Sequence, residues 1–173
     1  MKNLIKISFV MLITAFCLNT SNAQTKQDKK AIKAAEITRL VNLQNYVFVA
    51  NYVSPSRGGG RALTSEYDMS VSKDSIVAFL PYFGRAYMAD YGSNDGGIKF
   101  TLTHFDYKVT NNKKNNWDII ITPKNKNMSD PKAVRTLRLS ISSDGYASLQ
   151  VLSENRDPIS FNGYIEQKSK PKK

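Results

Sequence analysis

Residues 133–152 read AVRTLRLSIS-SDG-YASLQVL, and residues 159–166 read ISFNGYIE. Leu137, Leu139 and Ile141 alternate with Thr136, Arg138 and Ser140. Strand side chains point to opposite faces in turn, so this alternation predicts a strand with one buried and one wetted face. Ile159, Phe161 and Ile165 repeat the pattern. The intervening Ser143-Asp144-Gly145 and Asn155-Arg156-Asp157-Pro158 are turn sequences: glycine accepts positive φ, Asn and Asp bond their own backbone, and proline fixes φ. Three strands joined by tight turns make an antiparallel meander, predicted over 133–142, 146–152 and 159–166.

The same grammar extends upstream. Short runs rich in β-branched and aromatic residues, separated by Gly, Asn, Asp and Pro, predict further strands at 46–53, 66–72, 75–82, 98–103, 105–110 and 117–122. A loop is expected through Pro55 and Arg57-Gly58-Gly59-Gly60-Arg61, a long Gly-rich loop from Gly84 to Gly97, and exposed polar connections at 111–116 and 124–132. About nine sequential strands fit a mainly β fold: an antiparallel meander closing into a calycin- or lipocalin-like barrel or strongly curved sheet, with a β-sandwich as the alternative. Before the first strand, Ile32, Ile37, Leu40, Val41 and Leu43 form the apolar face of a basic amphipathic helix within 24–45. The β domain is expected over 46–166, with a basic disordered tail at 167–173.

The chain opens with Met1, Lys2 and Lys6, runs through an apolar stretch from Ile7 to Leu18 and reaches Ser21-Asn22-Ala23. This is the pattern of a signal peptide over 1–23 cut near Ala23: a basic start, an apolar core too short to anchor as a membrane span, and small residues before the cut. A periplasmic or secreted location follows, with no transmembrane segment in the mature chain. Cys17 is the sole cysteine and would leave with the leader, removing disulfide, thiol and thiolate–zinc chemistry. Lys and Arg number 25 against 14 Asp and Glu. Outside the cytoplasm such a basic surface suits anionic envelope material and not nucleic acid.

Four blocks carry a family resemblance: Tyr46-Val47-Phe48-Val49-Ala50-Asn51, Leu80-Pro81-Tyr82-Phe83-Gly84-Arg85-Ala86-Tyr87, Gly96-Gly97-Ile98-Lys99-Phe100 and Asp106-Tyr107-Lys108-Val109-Thr110. With the closing Phe161-Asn162-Gly163-Tyr164-Ile165, they resemble the exported Bacteroidetes proteins grouped as domain of unknown function 4251. The resemblance covers nearly all of the mature chain and implies an envelope location. It implies no activity and no site residues.

Candidate chemistries are few. His104 is the only histidine; as a general base it would need Asp106 to orient it, but no Gly-x-Ser-x-Gly elbow accompanies it. One histidine and no remaining cysteine leave the usual zinc sites short of ligands, so neither a metal nor a cofactor is expected. The Asp90–Gly97 loop groups oxygen ligands as a calcium site would, yet its glycine spacing is not that of an EF-hand. Arg57-Gly58-Gly59-Gly60-Arg61 lacks the ending of a nucleotide loop, although its two arginines could grip an anion. The aromatic cluster Phe79, Tyr82, Phe83, Tyr87 and Tyr91 with Arg85 enters the long loop where a barrel mouth would lie. Tyr82, Arg85, Tyr87 and Tyr91 are therefore the candidate ligand-binding residues, since rings stack on sugars and guanidinium holds oxygens.

The expected function is a non-enzymatic envelope domain that binds a small apolar, anionic or glycan-like ligand, or a protein partner. The alternatives are a hydrolase of envelope or dietary polymers using Glu66, Asp90, Asp95 or Asp106, and an interaction protein with a solid core.

Overall fold

The computed structural model describes residues 21–88, 96–112, 116–124 and 133–168, with residues 21–26 described in backbone alone. One helix, α1 (Ser21–Leu43), precedes nine strands: β1 (Tyr46–Pro55), β2 (Arg61–Val71), β3 (Ile76–Leu80), β4 (Ile98–Leu102), β5 (Phe105–Asn111), β6 (Trp117–Pro123), β7 (Val134–Ile141), β8 (Tyr146–Ser153) and β9 (Ile159–Gln167). They form one antiparallel sheet in the order β4-β3-β2-β1-β9-β8-β7-β6-β5, nearly closed into a barrel. Each neighbour pair is a sequence-adjacent hairpin except β1 and β9, which bring the two ends of the domain together. The edges of the sheet are β4 and β5, separated in the chain by Thr103 and His104 alone. The expected barrel or strongly curved meander is the observed fold.

The register is interrupted where β1 passes β9. Ala50 pairs with Gly163 and Tyr52 with Asn162, leaving Asn51 as the extra residue of a bulge. A Cβ on Gly163 would sit 1.8 Å from the Val49 carbonyl oxygen, so only glycine lets the two backbones approach this closely. At the same level of β1 the register against β2 also breaks, and β2 begins at Arg61 instead of the expected Glu66. The loop expected through Pro55 and Arg57–Arg61 is thereby a hairpin connection of residues 56–60.

Alternating residues fill the interior. Tyr46, Phe48, Met69, Ile76, Leu80, Ile119, Leu137, Leu139 and Phe161 are fully buried in a single apolar cluster that also takes in Trp117. Across the interior, the hydroxyls of Tyr46 on β1 and Tyr107 on β5 bond at 2.9 Å, which satisfies two polar groups that water cannot reach freely. The helix closes the end of the barrel where β1 starts. Ile37, Leu40 and Val41 are buried, while Ile32 and Leu43 of the expected apolar face stay exposed, so only the last turns dock. The helix stops in a Schellman motif: Asn45 N donates to Leu40 O at 3.2 Å and Gln44 N to Val41 O at 3.1 Å, with Gln44 at φ 51°. At the other chain end β9 runs to Gln167, and Lys168 Nζ donates to Ser72 Oγ at 3.1 Å. The rest of the expected tail lies outside the described residues.

Two outcomes follow from this packing. Gly163→Ala should cost about 3 kcal/mol, at or above the upper range for overpacking, because the obstructing atom is backbone; urea unfolding checks it, and an unchanged midpoint would remove the close approach. Burial also pushes the Tyr107 phenol up to about 12, the Tyr46 hydroxyl bond offsetting part of the rise, and Tyr46 is raised by burial and by Tyr107. A phenol ionising above the ordinary value near ~10 holds its proton more tightly when folded, so the stability it contributes is complete below that pH and is lost as pH rises through the folded value. In a phenolate absorbance titration, Tyr46 and Tyr107 should ionise only as the domain unfolds in alkali; ionisation of all nine tyrosines before unfolding would place the pair in water.

Candidate functional site

The end of the barrel opposite α1 is built by the β1–β2 connection, the chain after β3 and the β8–β9 turn. Pro81 ends β3, and the chain then folds back over its own tyrosine: a Cβ on Gly84 would sit 2.6 Å from Tyr82 Oη. Tyr82 Oη donates to Arg85 O at 2.8 Å, with Asp157 O next at 3.2 Å. Residues 85–87 lie alongside the β8–β9 turn, with Asp157 N donating to Arg85 O at 3.0 Å and Tyr87 N to Asn155 O at 2.8 Å. Ala86 and Arg156 form the bridge between the two segments.

Arg156 and Asp157 are the only buried charged residues among those described, at 6% and 8% exposure. The Arg156 guanidinium lies 4.8 Å over the Tyr82 ring and donates from Nη1 to Gly96 O at 3.1 Å and Gly97 O at 3.3 Å. It therefore ties the segment entering β4 to the mouth, by charge-assisted bonds and a cation–π contact. Asp157 is held from one side only. Its Oδ1 accepts the Tyr87 hydroxyl, whereas its Oδ2 has no hydrogen-bond donor and meets only Arg57 Nε at 3.8 Å. The Tyr87 hydroxyl is raised by that bond first and by burial second; the Tyr82 hydroxyl is raised by burial and by the Asp157 charge. Both phenols thus stay protonated donors at neutral pH.

Beside this clamp lies an open groove of about 440 Å³ lined by Pro55, Arg57, Arg61, Phe83, Gly84, Arg85 and Asp157. Among the described residues its lining brings Arg57, Arg61 and Arg85 together with one acidic residue, Asp157. The Arg61 guanidinium lies over the Phe83 ring, 4.6 Å from its centroid, a cation–π contact. Two other shallow grooves lie on the outer sheet face and share Ser140 and Ser148; neither gathers like charges.

Of the expected site residues, Arg85 lines the groove, while Tyr82 and Tyr87 use their hydroxyls to hold the wall behind it. Tyr91 lies outside the described residues, as do Asp90, Asp95 and most of the Asp90–Gly97 loop. Arg57 and Arg61, weighed in sequence as a Gly-rich loop, come into the groove. Arg156 and Asp157 read only as turn residues; a turn carrying an Arg-Asp pair was the available signal. His104 is exposed in the β4–β5 link, its Nδ1 at 3.0 Å from Thr103 Oγ1. Asp106 pairs with Lys124 at 3.0 Å on β5, and Glu66 stands on β2 beside Asp68, whose carboxyl is raised by burial and then by Glu66. Among the described residues no three of His, Cys, Asp and Glu are grouped as metal ligands, and no helix is long and apolar enough to cross a membrane.

A family model described as a domain of unknown function, DUF4251, matches residues 28–165, from within the helix into β9. A crystal structure of a DUF4251 family protein from Bacteroides eggerthii is similar to this chain with a TM-score of 0.56 at 16% identity, covering 82% of this chain and 91% of that one. At that identity the likeness concerns the fold. No functionally curated protein matches the chain.

Replacing Tyr82 by Phe removes the donor that joins Arg85 O to Asp157 O. We expect a loss of about 1 kcal/mol, the usual net worth of one hydrogen bond, and faster amide exchange at Asp157 and Tyr87 with the core amides unchanged. Unaltered exchange at those two sites would mean that the backbone bonds alone hold the clamp.

Proposed function

The chain belongs to the DUF4251 family, and from the groove at its barrel mouth we propose that it is an exported, non-enzymatic binding protein that holds a small anionic ligand there. One observation carries this: Arg57, Arg61 and Arg85 line a single groove in which Asp157 is the one acidic residue among the described lining. Three like charges with one carboxylate among them are only partly compensated, and an anion relieves the remaining repulsion while accepting from the planar forks. The filled interior directs binding to the mouth, since Tyr46, Phe48, Met69 and Phe161 occupy the space where a lipocalin-like ligand would sit. The groove volume suits a small molecule.

Export is supported by the leader pattern at 1–23. Cleavage after Ala23 removes only the first residues of α1 and leaves the docked turn at Ile37–Val41 in place. A hydrolase would need two carboxylates facing one cleft. Glu66 and Asp106 stand on β2 and β5, each engaged with a different neighbour.

Titration with inorganic phosphate, followed by NMR of the arginine and backbone amide signals, tests the site. The signals of Arg57, Arg61 and Arg85 should shift together. Each Arg→Gln change should weaken binding by about 1 kcal/mol, roughly five-fold, as for an exposed charge contact, and added salt should weaken it further. Shifts spread over the surface lysines, or binding that survives all three substitutions, would overturn the proposal.

A further inference from the structure

The outer wall of the barrel carries a groove that shares no residue with the one at the mouth. Four exposed residues form a row across the strands: Asn51 on β1, Asn162 on β9, Ser148 on β8 and Ser140 on β7, with Asn162 opposite Ser148 and Ser148 opposite Ser140. Asn51 joins the row through the bulge, which turns both Asn51 and Tyr52 outward between the buried Ala50 and Val53. The next outward pair along the strands is Tyr146 opposite Tyr164. Between the two rows stand Ala147 and Gly163, which add no side chain to the outer face because Ala147 points inward and Gly163 has none. The result is a groove of about 370 Å³ with short polar side chains along one border and the Tyr146 ring at the other.

No charged residue is among its described lining, on a chain with 25 Lys and Arg, so an ion gains nothing there. Among the described residues the side chains of Asn51, Ser140, Ser148 and Asn162 bond to no other part of the protein. Amides and hydroxyls both donate and accept, and a purely apolar ligand would cover them and leave them unpaired. A peptide adding as a strand has no purchase either: β9, β8 and β7 each lie between two neighbours, so their backbone groups are taken up in ladders. Tyr146 is 70% exposed and Tyr164 40%, which leaves phenol rings in water beside the polar row. We infer that this face binds a neutral oligosaccharide, whose hydroxyls exchange hydrogen bonds with the Asn and Ser side chains while the C–H face of one sugar ring lies against Tyr146. The row crosses four strands, about 15 Å at the usual interstrand spacing, so the ligand is a chain of several sugars laid across them. The adjoining groove, which shares Ser140 and Ser148, adds one charge of each sign, Asp118 and Arg138.

The test is an NMR titration of the folded protein with maltohexaose, cellohexaose and mannohexaose, whose chains differ in shape, and with glucose and mannose as single sugars. At least one hexaose should shift the side-chain amide signals of Asn51 and Asn162 together with the backbone amides of Tyr146 and Ser148, and should bind about ten-fold more tightly than its monosaccharide. Raising salt from about 50 to about 500 mM should leave that affinity unchanged, because no ion pair forms. Tyr146→Ala should weaken it about five-fold and Tyr146→Phe, which keeps the ring, should retain it; at 70% exposure neither change reaches the core. No shift with any of the three hexaoses would overturn the proposal, as would an affinity that Tyr146→Ala leaves intact. Shifts gathered at Arg57, Arg61 and Arg85, or binding that fades with salt, would overturn it in favour of the mouth. Phosphate binding at the mouth stands or falls separately, since the two grooves have no residue in common.

Discussion

The pairing of β1 with β9 is the contact on which this fold depends. Every other strand pair is a local hairpin, formed by segments close in sequence, whereas β1 and β9 join residues 46–55 to residues 159–167. Without that ladder the chain would be two separate meanders, β1–β4 and β5–β9, each with one apolar face exposed to water. Closing so long a loop costs entropy that grows slowly with its length, and the ladder together with the shared core offsets it. The Tyr46–Tyr107 bond spans the same division from inside the barrel, and α1 covers the end where β1 begins. Gly163 sits at the centre of this join, which is why a missing side chain matters more there than at any exposed turn.

The mouth is assembled from both halves and exists only because they meet. Arg57, Arg61, Phe83 and Arg85 come from the first meander, Arg156 and Asp157 from the second. Two backbone bonds, the Tyr82 and Tyr87 hydroxyls and the Arg156 contacts to Gly96 and Gly97 stitch them together. The buried pair in the turn therefore serves two ends at once. Arg156 fastens chain segments from within, while Asp157 takes the Tyr87 hydroxyl and stands against Arg57.

Much of the architecture was legible because strand alternation is local. Leu137, Leu139, Ile141 and Phe161 announced their buried faces, and Asp144-Gly145 announced its turn. The β1–β9 pairing was not legible, since nothing in two alternating runs says which distant run each will join. The start of β2 at Arg61 was hidden for a different reason: Ala62, Thr64, Ser65 and Glu66 are exposed there, so the segment lacks the apolar rhythm that marks a half-buried strand. At the site, Arg85 and its tyrosines were visible as a cluster entering a long loop. Asp157 was not, because Asn-Arg-Asp-Pro satisfies turn chemistry so well that its side chains seem explained before the fold brings Tyr87 and Arg57 to them.

A filled barrel places particular demands on a binding site at its rim. A luminal ligand gains affinity from apolar area removed from water, but exposed arginines gain little from a single contact in high dielectric. What the rim can offer is fixed geometry. Arg61 lies over the Phe83 ring, Arg57 stands by the Asp157 carboxylate, and the Arg85 carbonyl accepts from both Asp157 N and the Tyr82 hydroxyl. Side chains already ordered lose less freedom on binding, so a groove of this kind gains from several weak contacts made together. The same rigidity makes selectivity a matter of where donors and acceptors stand. Three donor forks would accept any anion, and the Asp157 carboxylate in the same wall opposes a second negative charge brought close to it, so the position of an anion's charge matters as much as its presence.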